Sequence, residues 1–215
     1  MARPLSHPGF VPPSLALAVI GHVNHGKTAL VRALTGMETD RLAEEKARGL
    51  SITLGFAWRG YPTGEIDFVD APGHEDFIRA MVAGATGVRA ALLVVSAVEG
   101  VARQTREHLR IAGLLGLNAG VVAVTKADLL NPNDETDALA RIAAELAGTF
   151  LAGQPILLTS AQTGRGLEAL HQQLEILATR SPQPPPLAGA FLPSTAPSAS
   201  PAPERWSPGR CSAGR

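Results

Sequence analysis

Eight residues near the N-terminus constrain the fold of this 215-residue chain more than any other feature. They read G-H-V-N-H-G-K-T, run from Gly21 to Thr28, and match the pattern G-x-x-x-x-G-K-[ST]. An apolar run over residues 15–20 comes directly before them, and a helical stretch follows from about Lys27. A strand, a glycine-containing turn and a helix in this order form a loop whose backbone amides surround a phosphate. The pattern therefore predicts a P-loop.

Strand and helix patterns alternate from about residue 15 to about residue 178. Strands are predicted at residues 15–20, 65–69, 90–97, 120–124 and 155–158. Helices are predicted from about residue 27 and at residues 103–115, 136–150 and 167–177. The predicted strands at residues 90–97 and 120–124 are apolar on both faces, as in a covered parallel sheet. We therefore expect an α/β three-layer sandwich, a mostly parallel sheet with helices on both faces.

Composition divides the chain into three segments. Residues 1–14 are proline-rich and are expected to form a flexible N-terminal segment. Residues 15–180 carry the strand and helix patterns of one domain. Residues 181–215 are rich in Pro, Ser and Ala and lose the apolar periodicity, so we expect a disordered C-terminal tail.

Charge and cysteine content exclude several classes of partner. Lys plus Arg equals Asp plus Glu, at 19 each, so the chain has no overall basic field that would attract DNA. The apolar runs are too short to span a membrane. Cys211 is the only cysteine, so no internal disulfide can form and a cytoplasmic location is expected.

The loop residues and the start of the following helix are the first candidate ligands of a nucleotide. The Lys27 ammonium can reach the β and γ phosphates and assist catalysis, and the Thr28 hydroxyl can coordinate Mg²⁺. The candidate phosphate-binding residues are Gly21, His22, Val23, Asn24, His25, Gly26, Lys27, Thr28 and Ala29.

A second motif, D-A-P-G-H, follows the predicted strand at residues 65–69. Asp70 at the end of the strand can hold a magnesium water, and the Gly73 amide can approach the γ-phosphate. His74 is then the candidate catalytic residue that orients the attacking water.

A third motif, T-K-A-D, follows the apolar strand at residues 120–124 and indicates which base is bound. The Asp128 carboxylate can accept hydrogen bonds from N1 and the exocyclic amino group of guanine, an arrangement that adenine does not offer. The stem of Lys126 can cover the ring, and Thr125 stands where the related pattern N-K-x-D has asparagine. Ser160 and Ala161 follow the last short strand and can present a backbone amide to the guanine oxygen. These residues favour GTP or GDP over ATP.

Taken together, these motifs resemble the GTPase domain of translation elongation factors of the Tu class. G-H-V-x-H-G-K-T, E-K-A-R-G at residues 45–49, D-A-P-G-H and Q-T-R-E-H at residues 104–108 carry the resemblance. Within that class, T-D-R-L-x-E-E-K at residues 39–46 and the T-K-A-D motif are similar to the selenocysteine-specific elongation factors. The resemblance covers about residues 15–178 and implies that residues 15–180 form a translational-type GTPase domain that acts in selenocysteine incorporation.

The resemblance also implies switches, partners and an unusual chain end. Residues 37–54 and 70–83 would be the two switches, with Ser51 in place of the threonine that ligates magnesium. The ribosome and selenocysteyl-tRNA are the implied partners. Because the tRNA-binding and mRNA-binding domains of the family are replaced by a proline-rich stretch, we expect a truncated or frame-shifted product.

Two other functions remain open at this point. The chain could be a nucleotide-dependent binding switch, or an inactive remnant, that holds GTP without serving translation. An ATPase of the same sheet class is a third hypothesis, which Asp128 disfavours.

Overall fold

The computed structural model describes residues 14–37, 55–70 and 88–180, and the statements below concern these residues. The chain divides into two units, Met1–Gln183 and Pro184–Arg215, and every described residue lies in the first unit. The predicted tail at residues 181–215 lies outside the described residues, as does the N-terminal segment except for the backbone of Ser14. These two assignments stay predictions.

The described residues form a six-stranded sheet. Its strands are β1 (Ser14–Gly21), β2 (Gly55–Tyr61), β3 (Gly64–Asp70), β4 (Val88–Ser96), β5 (Gly120–Thr125) and β6 (Ile156–Leu158). They lie in the order β2-β3-β1-β4-β5-β6. Strands β1, β3, β4, β5 and β6 pair in parallel, and β2 pairs antiparallel with β3 at one edge of the sheet.

Helices cover both faces of the sheet, because alternate residues of the central strands feed two separate apolar clusters. On one face, Leu93 and Val124 pack with Leu109 and Ile142 of two helices. On the other face, Leu17 and Leu92 pack with Leu30 and Leu170 of two further helices. The helices are α1 (Lys27–Thr35), α2 (Arg103–Leu114), α3 (Glu135–Leu146) and α4 (Leu167–Arg180).

This arrangement confirms the predicted three-layer α/β sandwich with a mostly parallel sheet. Two details differ from the sequence prediction. The edge strand β2 was not predicted, and α3 ends at Leu146 rather than near residue 150. The helix ends there because Ala147 is extended and Gly148 has a φ of 82°, a left-handed conformation that stops helical hydrogen bonding.

The parallel strands bring the ends of the predicted motifs to one edge of the sheet. The P-loop follows β1, Asp70 ends β3, and Thr125 ends β5. Two short 3₁₀ turns, Ala127–Leu129 and Pro132–Asp134, connect β5 to α3. None of the helices described here is both long and apolar enough to cross a lipid bilayer. Ligands of open parallel sheets bind at the carboxyl ends of the strands, so this edge is the candidate ligand site.

Candidate functional site

The P-loop turns sharply between β1 and α1, and its backbone conformation accounts for its residue types. Asn24 and Gly26 have positive φ values of 66° and 82°, which glycine adopts freely and asparagine tolerates better than most residues. Gly21 lies against the backbone of β4, where a Cβ atom would collide with the carbonyl oxygen of Val94. The loop is therefore held close to the sheet and opens directly onto the N-terminus of α1.

Lys27, the first residue of α1, reaches back across the loop. Its ammonium group donates a hydrogen bond to the carbonyl oxygen of His22, with an Nζ–O distance of 3.1 Å. The His22 ring is held in turn, because its Nδ1 lies 2.8 Å from Oε1 of Gln104 at the start of α2. A positive charge is thus fixed beside the backbone of the predicted phosphate cradle.

Thr28 and Asp70 meet although they are 42 residues apart in the sequence. The Thr28 hydroxyl lies 3.3 Å from Oδ2 of Asp70, and Asp70 is 1% exposed. A hydroxyl and a carboxylate together offer the oxygen ligands that Mg²⁺ prefers. The donor set at this position therefore suits a magnesium ion, with the third predicted ligand, Ser51, outside the described residues.

Thr125 connects the end of β5 to the P-loop. Its buried hydroxyl lies 2.6 Å from the carbonyl oxygen of His25 and 3.2 Å from that of Val95. A hydroxyl donates one hydrogen, and the shorter distance assigns that hydrogen to His25. The residue that replaces the asparagine of N-K-x-D thus contacts the phosphate loop through its side chain.

Lys126 and Asp128 follow Thr125 at the edge of the sheet. Lys126 has a φ of 58°, unusual for a residue with a side chain, and its Nζ lies 3.0 Å from Oε1 of Glu99. The hydrogen bond from Lys126 is the main reason that the pKa of Glu99 is held below its usual value. Asp128 lies in the 3₁₀ turn that follows and is exposed, where a base could reach it.

Ser160 and Ala161 lie next to this turn, after β6. The Ala127 amide donates to the Thr159 carbonyl at 3.1 Å, which joins the two segments. The amide of Ser160 donates to the carbonyl of Arg165 at 2.9 Å. Because the Ser160 amide is engaged in this way, Ala161 is the residue of the pair whose amide is the better candidate to meet a base oxygen.

His25 is enclosed within the site rather than exposed at its mouth. Its ring is fully buried and packs edge-on against the ring of His22, with the ring centres 5.3 Å apart. Nε2 of His25 lies 3.5 Å from Oε2 of Glu99. Burial lowers the pKa of His25, and the Glu99 carboxylate opposes this effect only partly. The ring is therefore neutral at neutral pH.

The structure brings together most of the sequence-predicted site and adds two residues to it. The predicted residues Gly73 and His74 lie outside the described residues, as Ser51 does. Glu99 and Gln104 contact the site but were not among the predicted site residues. The sequence could have pointed to Gln104, because it is the first residue of the Q-T-R-E-H motif. For Glu99, the only indication in the sequence was its position just after a predicted strand.

Residues 13–180 match the elongation factor Tu GTP binding domain. This chain belongs to that family. It is therefore a GTP-binding domain of the translational GTPase type, as the sequence motifs predicted.

Within this family, the chain is similar to selenocysteine-specific elongation factors. A selenocysteine-specific elongation factor from Desulfomicrobium baculatum is 46% identical over 168 residues, which cover 77% of this chain and 26% of that protein. A second, from Escherichia coli, is 42% identical over 167 residues, covering 77% of this chain and 27% of that protein. The crystal structure of a bacterial selenocysteine-specific elongation factor superposes with a TM-score of 0.71 at 40% identity, covering 77% of this chain and 28% of that one. The chain thus spans about a quarter of the length of these relatives.

Proposed function

We propose that this chain binds GTP with Mg²⁺ and hydrolyses it to GDP and phosphate, as the nucleotide-binding part of selenocysteine-specific elongation. The observation that carries the proposal is the meeting of Thr28 and Asp70 beside the anchored ammonium of Lys27. A phosphate cradle, a fixed cation and two oxygen ligands are the parts that phosphoryl transfer requires. Membership of the translational GTPase family supports the same assignment.

The phosphates are bound by the loop backbone and by the start of α1. Backbone amides from about Asn24 to Thr28 would donate to the phosphates, with the His25 amide first released from its 3.3 Å contact to the His22 carbonyl, and the N-terminus of α1 adds a positive potential there. Lys27 stabilises the negative charge that develops on the phosphate oxygens as the γ-phosphoryl group leaves. Thr28 and Asp70 would hold Mg²⁺, which neutralises charge on the β and γ phosphates when it is bound.

The base is bound by the two segments after β5 and β6. Asp128 accepts hydrogen bonds from N1 and the exocyclic amino group of guanine, while the stem of Lys126 lies along the ring. The Ala161 amide donates to the guanine oxygen. Thr125 does not need to touch the base, because its hydroxyl positions the phosphate loop through His25.

The residues proposed to act in hydrolysis are assigned from the resemblance to the family. His74 orients the water that attacks the γ-phosphorus in line with the departing GDP. Ser51 and the Gly73 amide sense the γ-phosphate, so that residues 37–54 and 70–83 change conformation once it is released. Turnover is slow until a ribosome orders His74.

The place of this chemistry in translation follows from the relatives. We infer that the chain serves selenocysteine incorporation, with the ribosome and selenocysteyl-tRNA as partners. The identity to selenocysteine-specific elongation factors supports this role. Because the matched region is only about a quarter of the length of these relatives, binding of selenocysteyl-tRNA needs a test separate from that of GTP hydrolysis.

The proposal is tested by single-turnover hydrolysis of GTP with and without added ribosomes. We expect ribosomes to accelerate cleavage and His74→Ala to slow the accelerated reaction about 100-fold, because misplacing the attacking water by about 1 Å costs a factor of that size. GDP affinity should not change. His171→Gln is the matched control, since His171 bonds to Tyr61 at the opposite end of the sheet.

Two results would contradict the enzymatic part of the proposal. Ribosomes that leave cleavage unaccelerated, together with an unaffected His74→Ala variant, would favour a nucleotide-dependent binding switch. Pulldown with GTP from cell lysate tests the translational part independently. Selenocysteyl-tRNA in the bound fraction would support that part, and its absence would show that this chain does not bind the tRNA.

A further inference from the structure

Glu99 is the charged residue that connects the two halves of the nucleotide site. One carboxylate oxygen lies 3.0 Å from the ammonium of Lys126 in the base motif. The other lies 3.5 Å from Nε2 of His25 in the phosphate loop, a polar contact rather than a hydrogen bond. The side chain therefore spans two motifs that are about 100 residues apart in the sequence.

The backbone of Glu99 is held firmly enough to act as a fixed point. It belongs to a turn at the end of β4, in which the Glu99 amide bonds to Oγ of Ser96 at 3.3 Å and the Gly100 amide bonds to the Ser96 carbonyl at 2.9 Å. Ser96 is fully buried, and Gly100 has a φ of 72° that closes the turn. The carboxylate thus emerges from a turn anchored in the core.

Lys126 needs such a fixed point, because its own backbone conformation is unfavourable. A left-handed φ on a residue with a side chain costs on the order of 1 kcal/mol and persists only where the surroundings hold it. Its side chain is 34% exposed and would sample several rotamers without a partner. An ammonium held by Glu99 keeps the methylene stem extended beside the expected position of the base.

We propose that Glu99 is a positioning residue for nucleotide binding, which fixes the base-covering Lys126 relative to the phosphate loop by contacting Lys126 and His25 together. The inference rests on the proposed role of Lys126 and Asp128 at the guanine ring. Glu99 does not touch the nucleotide itself. Its effect is transmitted through Lys126, and it lowers the rate at which bound nucleotide dissociates.

The test is a double-mutant cycle on the dissociation rate of fluorescently labelled GDP, measured with the full chain by stopped flow. We expect Glu99→Gln and Glu99→Ala each to speed dissociation about two- to five-fold, the range of an exposed ion pair. In the Lys126→Ala background, the same Glu99 changes should have almost no further effect, because the group that Glu99 positions is gone. Glu145→Gln is the matched control, since Glu145 forms a similarly exposed pair with Arg106 at 2.6 Å.

The outcomes separate this inference from the function on which it rests. If Glu99→Gln speeds dissociation equally with and without Lys126, the inference is overturned while guanine binding stands. If the wild-type chain fails to distinguish GDP from ADP, the base-motif assignment is overturned and the inference with it. Thermal unfolding of the nucleotide-free variants provides the second measurement. A loss of stability that matches the change in dissociation would assign Glu99 a structural role and overturn the inference too.

Discussion

The hydrogen bond from Thr125 to the P-loop should contribute both to the stability of the chain and to its affinity for GDP. Thr125 is 4% exposed, and its hydroxyl lies 2.6 Å from the carbonyl oxygen of His25. Thr125→Val keeps the shape of the side chain and places a methyl group where the hydroxyl was. The methyl group cannot donate and cannot approach the carbonyl oxygen as closely, so the loop must move away from β5.

The expected size of the effect follows from the burial of this contact. Leaving a buried acceptor without its donor costs about 1–3 kcal/mol. We expect the free energy of unfolding to fall by about 1–2 kcal/mol in Thr125→Val. We also expect GDP affinity to fall about five- to ten-fold, which corresponds to about 1–1.4 kcal/mol, because the loop amides that surround the phosphates shift with His25.

Two matched variants make the assay specific. Thr125→Asn provides an amide that can donate to the same carbonyl, and we expect near wild-type GDP affinity from equilibrium binding. Thr149→Val removes another threonine hydroxyl, which is partly buried and lies 2.8 Å from the Leu146 carbonyl at the end of α3, away from the loop. It should lower stability in urea denaturation while sparing GDP affinity. A Thr125→Val chain that binds GDP as tightly as the wild type would refute the reasoning.

Two further predictions concern stability. Gly21→Ala should lower the melting temperature by roughly 2–12 °C, since the new Cβ collides with the Val94 carbonyl and overpacking costs about 1–3 kcal/mol. Gly60→Ala, whose Cβ would meet open space, is the control, and equal effects of the two changes would contradict the prediction. Burial, followed by the nearby Arg59, lowers the pKa of His171, so the unfolded chain binds more protons and the free energy of unfolding should fall as the pH drops below about 6.5. His171→Gln should reduce that pH dependence in denaturation curves and leave the part due to the buried His25, whose pKa is lowered in the same direction; an unchanged slope would show that His171 does not contribute.

The features that sequence predicted well are those encoded by neighbouring residues. The strand before Gly21, the P-loop and the start of α1 are contiguous, and an apolar run followed by a glycine turn indicates them without any knowledge of the rest of the chain. The buried strands β4 and β5 were evident for the same reason, since both are almost entirely apolar.

The edge strand β2 was not predicted, because its apolar pattern is weak and its formation depends on pairing with β3. Gly55 and Gly60 interrupt the strand pattern, Phe56 is half-exposed, and the charged Arg59 lies on the same face as Ala57 and Tyr61, which pack in the second apolar cluster. Its existence depends on pairing with β3. Edge strands carry less hydrophobic signal than central ones.

Long-range contacts in the site were equally hidden from the sequence. The interaction of Glu99 with Lys126 joins residues 27 positions apart, and that of Thr125 with His25 joins residues 100 positions apart. A motif predicts which residues face a ligand, but it carries no information about which of them support one another. The role of Thr125 at the phosphate loop therefore emerged only from the fold.

The central claim, that this site selects guanine nucleotides through Asp128, is tested most directly by competition binding. Labelled GDP bound to the full chain is displaced with unlabelled GDP or ADP, and the same titration is repeated with Asp128→Asn. We predict that ADP competes at least about 100-fold more weakly than GDP in the wild type, because a base that cannot donate to the carboxylate leaves it poorly paired. Asp128→Asn should lose most of that preference. Equal competition by ADP and GDP in the wild-type chain would contradict the account.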